Sequence, residues 1–280
     1  MPEFLNRRRA GFTFPLRVME ELGLDRPAFA FVVGGVALQS DDGAHLGDIF
    51  NPYPTRFDQW LAPAAMARAA GLAEEVGGRW RATAKGRELA ARVRREADAY
   101  LATLTPIPPG ELARIASLLQ RAFDAVAASG VPHDHMTRAA RFVGDGRIPL
   151  VALENAIFAL WQARDDCHMS AWRDAALDGP RFDVLTRVWR REAATEDQLV
   201  ARLAQQTPED VRDELARLRA DDLVRADTLE TTARGTSIRG RIEDETDRRF
   251  FAPWPDDVAR EADWIRERLG EVNAGLAPAS

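Results

Sequence analysis

The chain contains one short motif twice, and this repeat constrains the fold more than any other feature of the sequence. Thr83-Ala84-Lys85-Gly86 returns 149 residues later as Thr232-Ala233-Arg234-Gly235. The similarity extends downstream to Pro106 and Pro255, and upstream residues 72–80 mirror residues 223–229 with a two-residue difference in the turn. Self-similarity at a fixed offset indicates a duplicated structural unit. We therefore expect two related modules in one chain.

Helix signals precede the motif in the second copy. Apolar residues at helical spacing begin at Phe182, and Thr195 with Gln198 forms a capping box that opens a second helix. Thr207 caps a third helix, with Pro208 in its first position. Three helices are therefore expected before the repeated motif, and the long helix that the motif opens makes a fourth.

A predicted β-hairpin lies immediately before the motif in each copy. In the first copy, residues 73–76 and 80–83 flank Gly77 and Gly78, a two-glycine turn that suits positive φ. In the second copy, residues 223–224 and 229–232 flank a turn at Ala226-Asp227. Both hairpins are expected to be short.

The helix before the first hairpin is harder to place because Pro63 interrupts the stretch between Thr55 and Gly71. A proline inside a helix removes one hydrogen bond and clashes with the preceding turn. Two alternatives remain open: a helix over residues 55–61, or one that begins at Pro63, which the pattern favours.

Three helices, a two-stranded hairpin and a closing helix make a winged helix-turn-helix. This order resembles MarR-like winged-helix proteins, in which a Thr-Pro/Ala-x-Gly sequence leads from the wing into a long helix. The resemblance implies a mainly α protein with small β-hairpin wings (α+β), in which two winged helix-turn-helix units are joined by a helical middle segment.

Proline marks the end of the first unit, at Pro106-x-Pro108-Pro109. Apolar residues at helical spacing over 112–126 and 150–161 predict a helical middle. We expect an N-terminal winged-helix domain with a basic wing at residues 1–106 and a helical linker domain at 107–179. A C-terminal winged-helix domain with a terminal helix is expected at 180–280.

A second resemblance covers roughly residues 148–254. The run from Leu160 to Trp172, followed by Leu177-Asp178-Gly179, is similar to an actinobacterial helix-turn-helix family that joins a helical domain to a C-terminal winged helix. Its Arg-Gly-Asp-Gly-His element is present here as Arg164, Asp166 and His168, while Asp165 and Cys167 occupy the glycine positions. The family has no settled activity, so the resemblance implies an architecture and a site location.

Charge separates the two predicted units. The chain has 38 basic and 44 acidic residues, which excludes attraction of the whole molecule to phosphate. Residues 55–100 carry 9 basic and 6 acidic groups, whereas residues 180–250 carry 14 basic and 16 acidic groups. The outward face of the third helix in the second unit would hold Glu209, Arg212, Asp213, Ala216 and Arg217, with Asp210 and Glu214 at its margins. Four carboxylates on or beside this face would repel phosphate. We expect this second unit to bind DNA poorly.

A winged helix places its third helix in the major groove and its wing on the backbone. If DNA binds, the basic first unit is therefore the predicted site. The candidate DNA-binding residues are Arg56, Gln59, Arg68, Arg79, Arg81, Lys85 and Arg87. The alternative is a solvated basic wing whose arginine stems cover apolar strands. Arg7-Arg8-Arg9 is either a minor-groove arm or a solvated tail.

Aromatic and polar residues near the second resemblance predict a ligand pocket with an anion-fixing arginine. The candidate ligand-binding residues are Phe158, Trp161, Arg164, Asp166, His168 and Trp172. The alternative is ordinary core, with Asp165 or Asp166 capping a helix that starts near Cys167. His133-Asp134-His135 and Asp165-Asp166-Cys167-His168 both contain residue types that bind zinc. These two clusters lie about thirty residues apart and nothing in the sequence requires them to meet, so we predict neither a metal nor a cofactor.

The sequence thus favours a DNA-binding transcriptional regulator whose partners are double-stranded DNA and a small-molecule effector. The alternative is a small-molecule-binding protein or an enzyme that uses the winged-helix units as a scaffold, with its pocket near Arg164, Asp166 and His168. No familiar catalytic motif is present, which leaves the question of an enzyme open.

Location and assembly follow from two further patterns. The longest apolar run, residues 28–38, has about half the length of a membrane helix, and the lone Cys167 fits a reducing compartment. We expect a cytoplasmic protein with no membrane partner. An apolar stripe from Val258 to Val272 predicts a terminal helix over residues 256–273, which either folds back on the chain or forms a homodimer surface.

Overall fold

The computed structural model describes residues 1–49 and 58–276. This part of the chain is mainly helical, with a small two-stranded antiparallel sheet. None of its helices is long and apolar enough to cross a membrane. The helices are α1 (Pro2–Arg7), α2 (Phe14–Leu22), α3 (Arg26–Ala30), α4 (Asp58–Ala69), α5 (Ala84–Leu101), α6 (Pro109–Ala127), α7 (Met136–Ala139), α8 (Pro149–Asp174), α9 (Gly179–Trp189), α10 (Glu196–Arg202), α11 (Pro208–Ala220), α12 (Ala233–Phe251), α13 (Asp256–Ala259) and α14 (Ala262–Gly275).

The sheet consists of β1 (Ala73–Val76) and β2 (Arg79–Ala82), paired from Ala73 opposite Ala82 to Val76 opposite Arg79. A π-helical turn over Phe31–Gly35 and a 3-10 turn over Val36–Leu38 follow α3. The mainly α class with a small β-hairpin is therefore confirmed.

Buried apolar side chains form three clusters along the chain. The N-terminal cluster runs from Phe14 to Val93, and the C-terminal cluster runs from Met169 to Ile242. The central cluster lies mainly between α6 and α8. It also takes in Phe4 of α1 and Val272 of α14, so both ends of the described chain pack on its middle.

Helix α8 runs unbroken from Pro149 to Asp174 and contains the whole Leu160 to Trp172 run of the second resemblance. The predicted helix start near Cys167 is therefore wrong, and Asp165 and Asp166 lie in the interior of α8. Inside a helix the local N–H groups are already bonded, so an interior carboxylate has no cap to form there. Asp166 instead accepts hydrogen bonds from the backbone N–H groups of His135 (2.7 Å) and Met136 (2.9 Å), at the start of α7.

Helix α4 continues through Pro63, so both predicted boundaries, a helix over residues 55–61 and one that begins at Pro63, are wrong for the described residues. The pyrrolidine ring removes one helical hydrogen bond but keeps a helical φ. Pro63 is buried beside Ala64 on the inner face of α4, where apolar burial offsets part of that cost.

The two copies of the motif make the same backbone junction. Thr83 Oγ accepts from the N–H of Gly86 (3.1 Å) and donates to the carbonyl of Gly71 (2.7 Å). Thr232 Oγ accepts from the N–H of Gly235 (3.0 Å) and donates to the carbonyl of Asp222 (2.6 Å). Gly71 and Asp222 both have positive φ, at 71° and 56°. The predicted helix starts at both motifs are confirmed.

Both motif glycines allow a close helix approach. A Cβ on Gly86 would lie 2.0 Å from the carbonyl oxygen of Leu72, and a Cβ on Gly235 would lie 2.0 Å from that of Leu223. Only glycine allows the long helix to start so close to the chain that enters the hairpin. The glycine of the motif is therefore required by packing in both copies.

The second hairpin is reduced to a single bridge between Val224 and Thr231, next to a hydrogen bond from the N–H of Arg225 to the carbonyl of Glu230 (2.9 Å). The first hairpin is extended instead, because Ala44 forms an antiparallel bridge with Trp80 on β2. The two strands predicted for the second copy thus pair only at their base.

The predicted terminal helix is split into α13 and α14. Val258, Ile265 and Val272 are buried in the central cluster, and Leu269 packs against it. The stripe is therefore covered by the chain itself, as the fold-back alternative predicts.

Candidate nucleic-acid interface and ligand site

The β1–β2 hairpin projects into solvent at its tip. Gly77 and Gly78 have φ of 59° and 77°, and both are exposed with open space around them. Two successive positive φ values match the right-handed twist of a two-residue hairpin turn. Val76, beside the tip, is 49% exposed. The predicted two-glycine turn is confirmed, and the tip is free for contact with a partner.

Arg79 and Arg81, on β2, both have partners within the chain. Arg79 donates to the backbone carbonyls of Asp42 (3.0 Å) and Gly43 (2.7 Å), which fastens the 40–48 segment to the hairpin. Arg81 pairs across the strands with Glu74 at 2.8 Å. Both guanidinium groups are partly exposed, and the charge of Arg79 is not offset by a carboxylate in these contacts, whereas that of Arg81 is paired with Glu74.

Two further cations at the base of the hairpin bind backbone carbonyls. Lys85 Nζ donates to the carbonyl of Ala70 (2.8 Å) at the end of α4. In the second copy, Arg234 makes the corresponding bond to the carbonyl of Asp221 (3.1 Å). A cation at a helix C-terminus interacts favourably with the helix dipole. Arg87 donates to the carbonyl of Ala82 (2.6 Å), on the α5 side of the hairpin.

The outward face of α4 carries little charge. Gln59 and Arg68 are exposed there, while Leu61 is 51% exposed between small alanines. Arg56 lies outside the described residues. The structure therefore brings Arg68, Arg81 and Lys85 to the α4–hairpin edge, but it gives α4 few groups for reading base edges.

The outward face of α11 carries mixed charge, with three exposed carboxylates, Glu209, Asp210 and Asp213, and two exposed arginines. Glu209, Arg212, Asp213, Ala216 and Arg217 are all exposed. Glu214 is buried and forms ion pairs with Arg181 (3.1 Å) and Arg217 (2.6 Å). Carboxylates on this face would repel phosphate at short range.

The six predicted ligand residues all lie on α8, but they point toward different neighbours. Phe158 stacks on Phe142, with ring centroids 4.1 Å apart. Arg164 pairs with Glu243 (3.5 Å) and Asp247 (3.6 Å) of α12. Asp166 faces α7, as described above, and Trp161 is half-buried. The structure does not gather these four side chains at one point.

His168 and Trp172 do share a neighbour, Phe182 of α9, whose ring lies 4.9 Å and 6.1 Å from theirs. Nδ1 of His168 lies 2.9 Å from Oγ of Thr246. The Thr246 hydroxyl donates its single hydrogen to the carbonyl of Ile242 (2.6 Å), so the hydrogen-bond network assigns the donor role to Nδ1 of His168. His168 is thus a neutral, Nδ1-protonated ring in an interhelical contact.

Burial sets the protonation of several groups around α8. It lowers the pKa of His168 to about 4 and, together with Arg138, that of His135 to about 4. Burial raises the pKa of Asp165 to about 7 and that of Asp166 to about 6. All four groups are shifted toward their neutral forms, which is the effect expected from a low-dielectric surrounding.

The His133–His135 segment does meet α8, through the cap that Asp166 provides. His133 Nε2 lies 2.9 Å from the carbonyl of Ala127, and Asp134 pairs with Arg173 at 2.8 Å. Within residues 1–49 and 58–276, no group of three or more His, Cys, Asp or Glu side chains is arranged to hold a metal ion.

The N-terminal arginines form a buried ion cluster that the sequence analysis missed. Arg8 bonds to one oxygen of Glu154, while Arg9 and Arg94 each reach the other at 2.8 Å. Arg7 bonds to the carbonyl of Asn273 (2.9 Å) and pairs with Glu3. The Arg7–Arg9 triplet is therefore neither a minor-groove arm nor a solvated tail. The sequence signal for this cluster was Glu154, a charged residue within the apolar run of α8.

A second buried arginine, Arg239 of α12, was also missed. Its guanidinium lies over the rings of Phe182 (4.9 Å) and Trp189 (4.8 Å), and its Nε donates to Oγ of Thr186 (3.1 Å). Cation–π contacts and the ion pair with Glu243 hold this charge inside the C-terminal cluster.

Comparison with known proteins identifies a family over residues 62–280 of the chain. Neither curated proteins nor solved structures gave a significant match. The profile of a helix-turn-helix family matches residues 62–280, which include α5 to α14, the hairpin and both copies of the motif. Because the match covers more than half of the sequence, the chain belongs to this helix-turn-helix family.

Proposed function

We propose that the chain is a transcriptional regulator that binds double-stranded DNA through its N-terminal half. In this proposal α4 enters the major groove and the β1–β2 hairpin contacts the phosphate backbone as a wing. Membership of a helix-turn-helix family suggests DNA binding. The observation that carries the location is the exposed hairpin tip at Gly77 and Gly78, next to a cationic edge.

The charges favour this edge over its counterpart in the second copy. Arg68, Arg79, Arg81 and Lys85 surround the first hairpin; the contacts of Arg79 and Lys85 are bonds to backbone carbonyls, which do not neutralise their charge, whereas Arg81 pairs with Glu74. The corresponding outer face, on α11, exposes Glu209 and other carboxylates. Phosphate contacts come chiefly from arginine and lysine, so the first copy is the better interface.

A tandem, MarR-like arrangement of two winged helix-turn-helix units belongs to the same proposal. It is supported by the matching Thr-x-x-Gly junctions and by the equivalent bonds of Lys85 and Arg234. We retain the division into an N-terminal unit (1–106), a helical linker (107–179) and a C-terminal unit (180–280). The three apolar clusters follow this order, although α14 packs on the linker helices.

A homodimer stays a prediction. Its surface would not be the terminal stripe of α13 and α14, because Val258 and Val272 are already buried within the chain. Two helix-turn-helix units in one chain would supply the pseudo-twofold arrangement that dimers of single units use.

The alternative, a pocket or an enzyme active site at Arg164, Asp166 and His168, has less support. Each of these side chains already has a partner in the chain: Glu243, the start of α7 and Thr246, respectively. Response to a small-molecule effector remains part of the proposal.

The location of the interface can be tested with two charge-matched variants. Binding to a mixed-sequence duplex of about 30 base pairs is followed by fluorescence anisotropy between about 50 and 200 mM salt. The variant R68Q/R81Q removes two cations from the α4–hairpin edge. This variant should bind the duplex about tenfold more weakly. The slope of log affinity against log salt concentration should fall in magnitude by about 2, because each phosphate contact that is lost means about one fewer counterion released on binding.

The matched control is R212Q/R217Q, which removes two exposed arginines from α11. It should leave duplex affinity unchanged, and both variants should melt within a few degrees of the wild type. Absence of duplex binding by the wild type at low salt would reject the proposal. An equal loss of affinity in the control would reject the assignment to the N-terminal half.

A further inference from the structure

A cleft of about 650 Å³ lies between α5, the turns at residues 31–38 and the loop at residues 141–147. This volume is in the range of small-molecule sites. One wall contains Val33, Ala37 and Leu38 from the π and 3-10 turns. π-Helical turns are rare and are often found at functional sites. None of the six predicted ligand residues lines the cleft, although Phe158 packs against its lining residue Phe142.

Arginine dominates the polar lining. Among the described residues that line the cleft, two are carboxylates and six are arginines, which are Arg9, Arg87, Arg94, Arg95, Arg141 and Arg147. Both carboxylates are already paired. Asp145 accepts two bonds from Arg147 (2.8 and 2.7 Å), and Asp98 lies 3.0 Å from Nε of Arg94.

Three of these arginines have no carboxylate partner within the described residues. Arg87 and Arg141 donate only to the backbone carbonyls of Ala82 (2.6 Å) and Leu38 (3.3 Å), which leaves their charge uncompensated. Arg95 is exposed on α5. The cleft therefore has a surplus of positive charge at its rim, where an anion would be attracted.

Arg9 and Arg94, which also line the cleft, add to this surplus of positive charge. Arg9 and Arg94 lie against the ring of Phe142, at 5.7 and 4.5 Å, and both share the single carboxylate of Glu154 with Arg8. Three guanidinium groups around one buried carboxylate leave net positive charge in a region of low dielectric. Asp98 offsets part of it, through Arg94. Screening by water is weaker there than at the surface.

The remaining lining is apolar. Leu38 and Phe142 form part of the wall, and Val143 is 62% exposed at its edge. An exposed valine beside uncompensated arginines suits a ligand that has both an apolar body and a negative head. A purely inorganic anion would leave this apolar surface uncovered.

We infer that the cleft binds a free amphipathic organic anion, with a carboxylate, sulfonate or phosphate head on an apolar body. Arg95 and Arg141 hold the head, and Leu38 and Val143 contact the body. The occupant would touch α5, the helix that begins at the hairpin, so an effect on DNA rests on the proposed function. The binding itself does not depend on DNA.

The test uses anilinonaphthalene sulfonate, an aromatic sulfonate whose fluorescence increases when it leaves water. The wild-type chain should bind this probe saturably. R95Q/R141Q should bind it at least tenfold more weakly, because the head group loses both of its cations. A91W should also weaken binding, because Ala91 is exposed on α5 at the cleft and a large ring there blocks the site without changing charge.

Two controls make the result specific. R260Q/R266Q removes two exposed arginines far along the chain, and it should bind the probe as the wild type does. Phenylnaphthylamine, which has the same rings without the sulfonate, should bind at least tenfold more weakly than the sulfonate. Thermal unfolding of each variant confirms that it is folded.

Equal affinity of the sulfonate for R95Q/R141Q and R260Q/R266Q would overturn the inference, and so would unchanged binding to A91W. Tight binding of the neutral analogue would overturn the anionic class of ligand. Because the assay contains no DNA, its outcome is separate from that of the duplex experiment, and either proposal can fail without the other.

Discussion

At the scale of single residues, Glu154 is the buried carboxylate at which three arginines meet. It is fully buried and shared by Arg8, Arg9 and Arg94. Burial alone would raise the pKa of Glu154, but the three guanidinium groups lower it by more, so the pKa lies below its usual value. This stabilisation is present above the pKa of an unfolded glutamate, about 4.3, and is lost as the pH falls through the lower folded value.

We expect E154Q to lower the free energy of unfolding by about 3–5 kcal/mol, because it leaves Arg8 and Arg9 without a counter-charge and Arg94 with Asp98 alone. Urea denaturation near neutral pH measures the change. E267Q is the control, since Glu267 is 65% exposed, and its effect should stay within about 0.5 kcal/mol. Equal stability of E154Q and the wild type would contradict the role of the cluster.

Asp165 has the opposite pH dependence. Burial raises its pKa to about 7, with a further contribution from Asp166, whereas Arg164 and a bond from Trp161 oppose the shift. The folded chain therefore binds this proton more tightly than the unfolded chain does. The resulting stability is fully present below the unfolded pKa of about 3.9 and is lost as the pH rises through about 7.

The substitution D165N removes the free-energy cost of ionising Asp165 in the folded chain at high pH. We expect it to be more stable than the wild type by about 1–3 kcal/mol near pH 8, with no difference near pH 4. Urea denaturation at both pH values is the measurement. D263N, at a carboxyl that is 90% exposed, should change nothing at either pH. A gain of the same size at both pH values would show that ionisation of Asp165 is not the cause.

At the scale of elements, the repeated junction predicts paired effects. G86A and G235A each place a Cβ 2.0 Å from a backbone carbonyl oxygen, which must move the helix away from the hairpin. We expect both to destabilise the chain by about 2–4 kcal/mol. Chemical denaturation followed by circular dichroism gives the comparison.

The control for these two variants lies in the interior of α12. Gly240 has open space at its Cβ position, so G240A should stabilise the chain by about 0.5–1 kcal/mol through helix propensity alone. If G86A and G235A were tolerated as well as G240A, the two junctions would not be the tight contacts described here.

How well the elements could be predicted depended on how local their signals are. The caps at Thr83, Thr195, Thr207 and Thr232 bond to a residue three positions later, so the sequence displays both partners together. The two-glycine turn is local as well. These features were predicted correctly, and they account for the helices around both motifs.

Features whose partners are distant in sequence were missed. Arg8 and Glu154 are 146 residues apart, and Asp166 caps a helix that begins 30 residues earlier. Pro63 predicts a helix break, yet α4 is continuous through it, and Pro63 is buried on the inner face of that helix. The cleft beside α5 brings together four separate segments, so no pattern along the chain indicated it. The six candidate ligand residues were predicted to line one pocket, but Asp166 contacts α7, His168 and Trp172 contact α9, and Arg164 contacts α12.

At the scale of the whole molecule, long helices connect the three apolar clusters. Helix α8 contributes Leu150 to the central cluster and Trp172 to the C-terminal one, and α5 contributes Val93 to the N-terminal cluster and Leu101 to the central one. The cationic hairpin is thus attached through α5 to the middle of the chain. The molecule presents a cationic edge at one copy of the motif and a helix face of mixed charge, on α11, at the other.

The most direct test of DNA binding by the N-terminal half is photo-cross-linking from the two hairpin tips. A benzophenone amino acid replaces Val76 in one variant and Asp227, exposed in the second hairpin turn, in another. Each is irradiated with a mixed-sequence duplex at low salt. We predict a covalent DNA adduct from position 76 and none from position 227. No adduct from position 76, or equal adducts from both positions, would contradict the account.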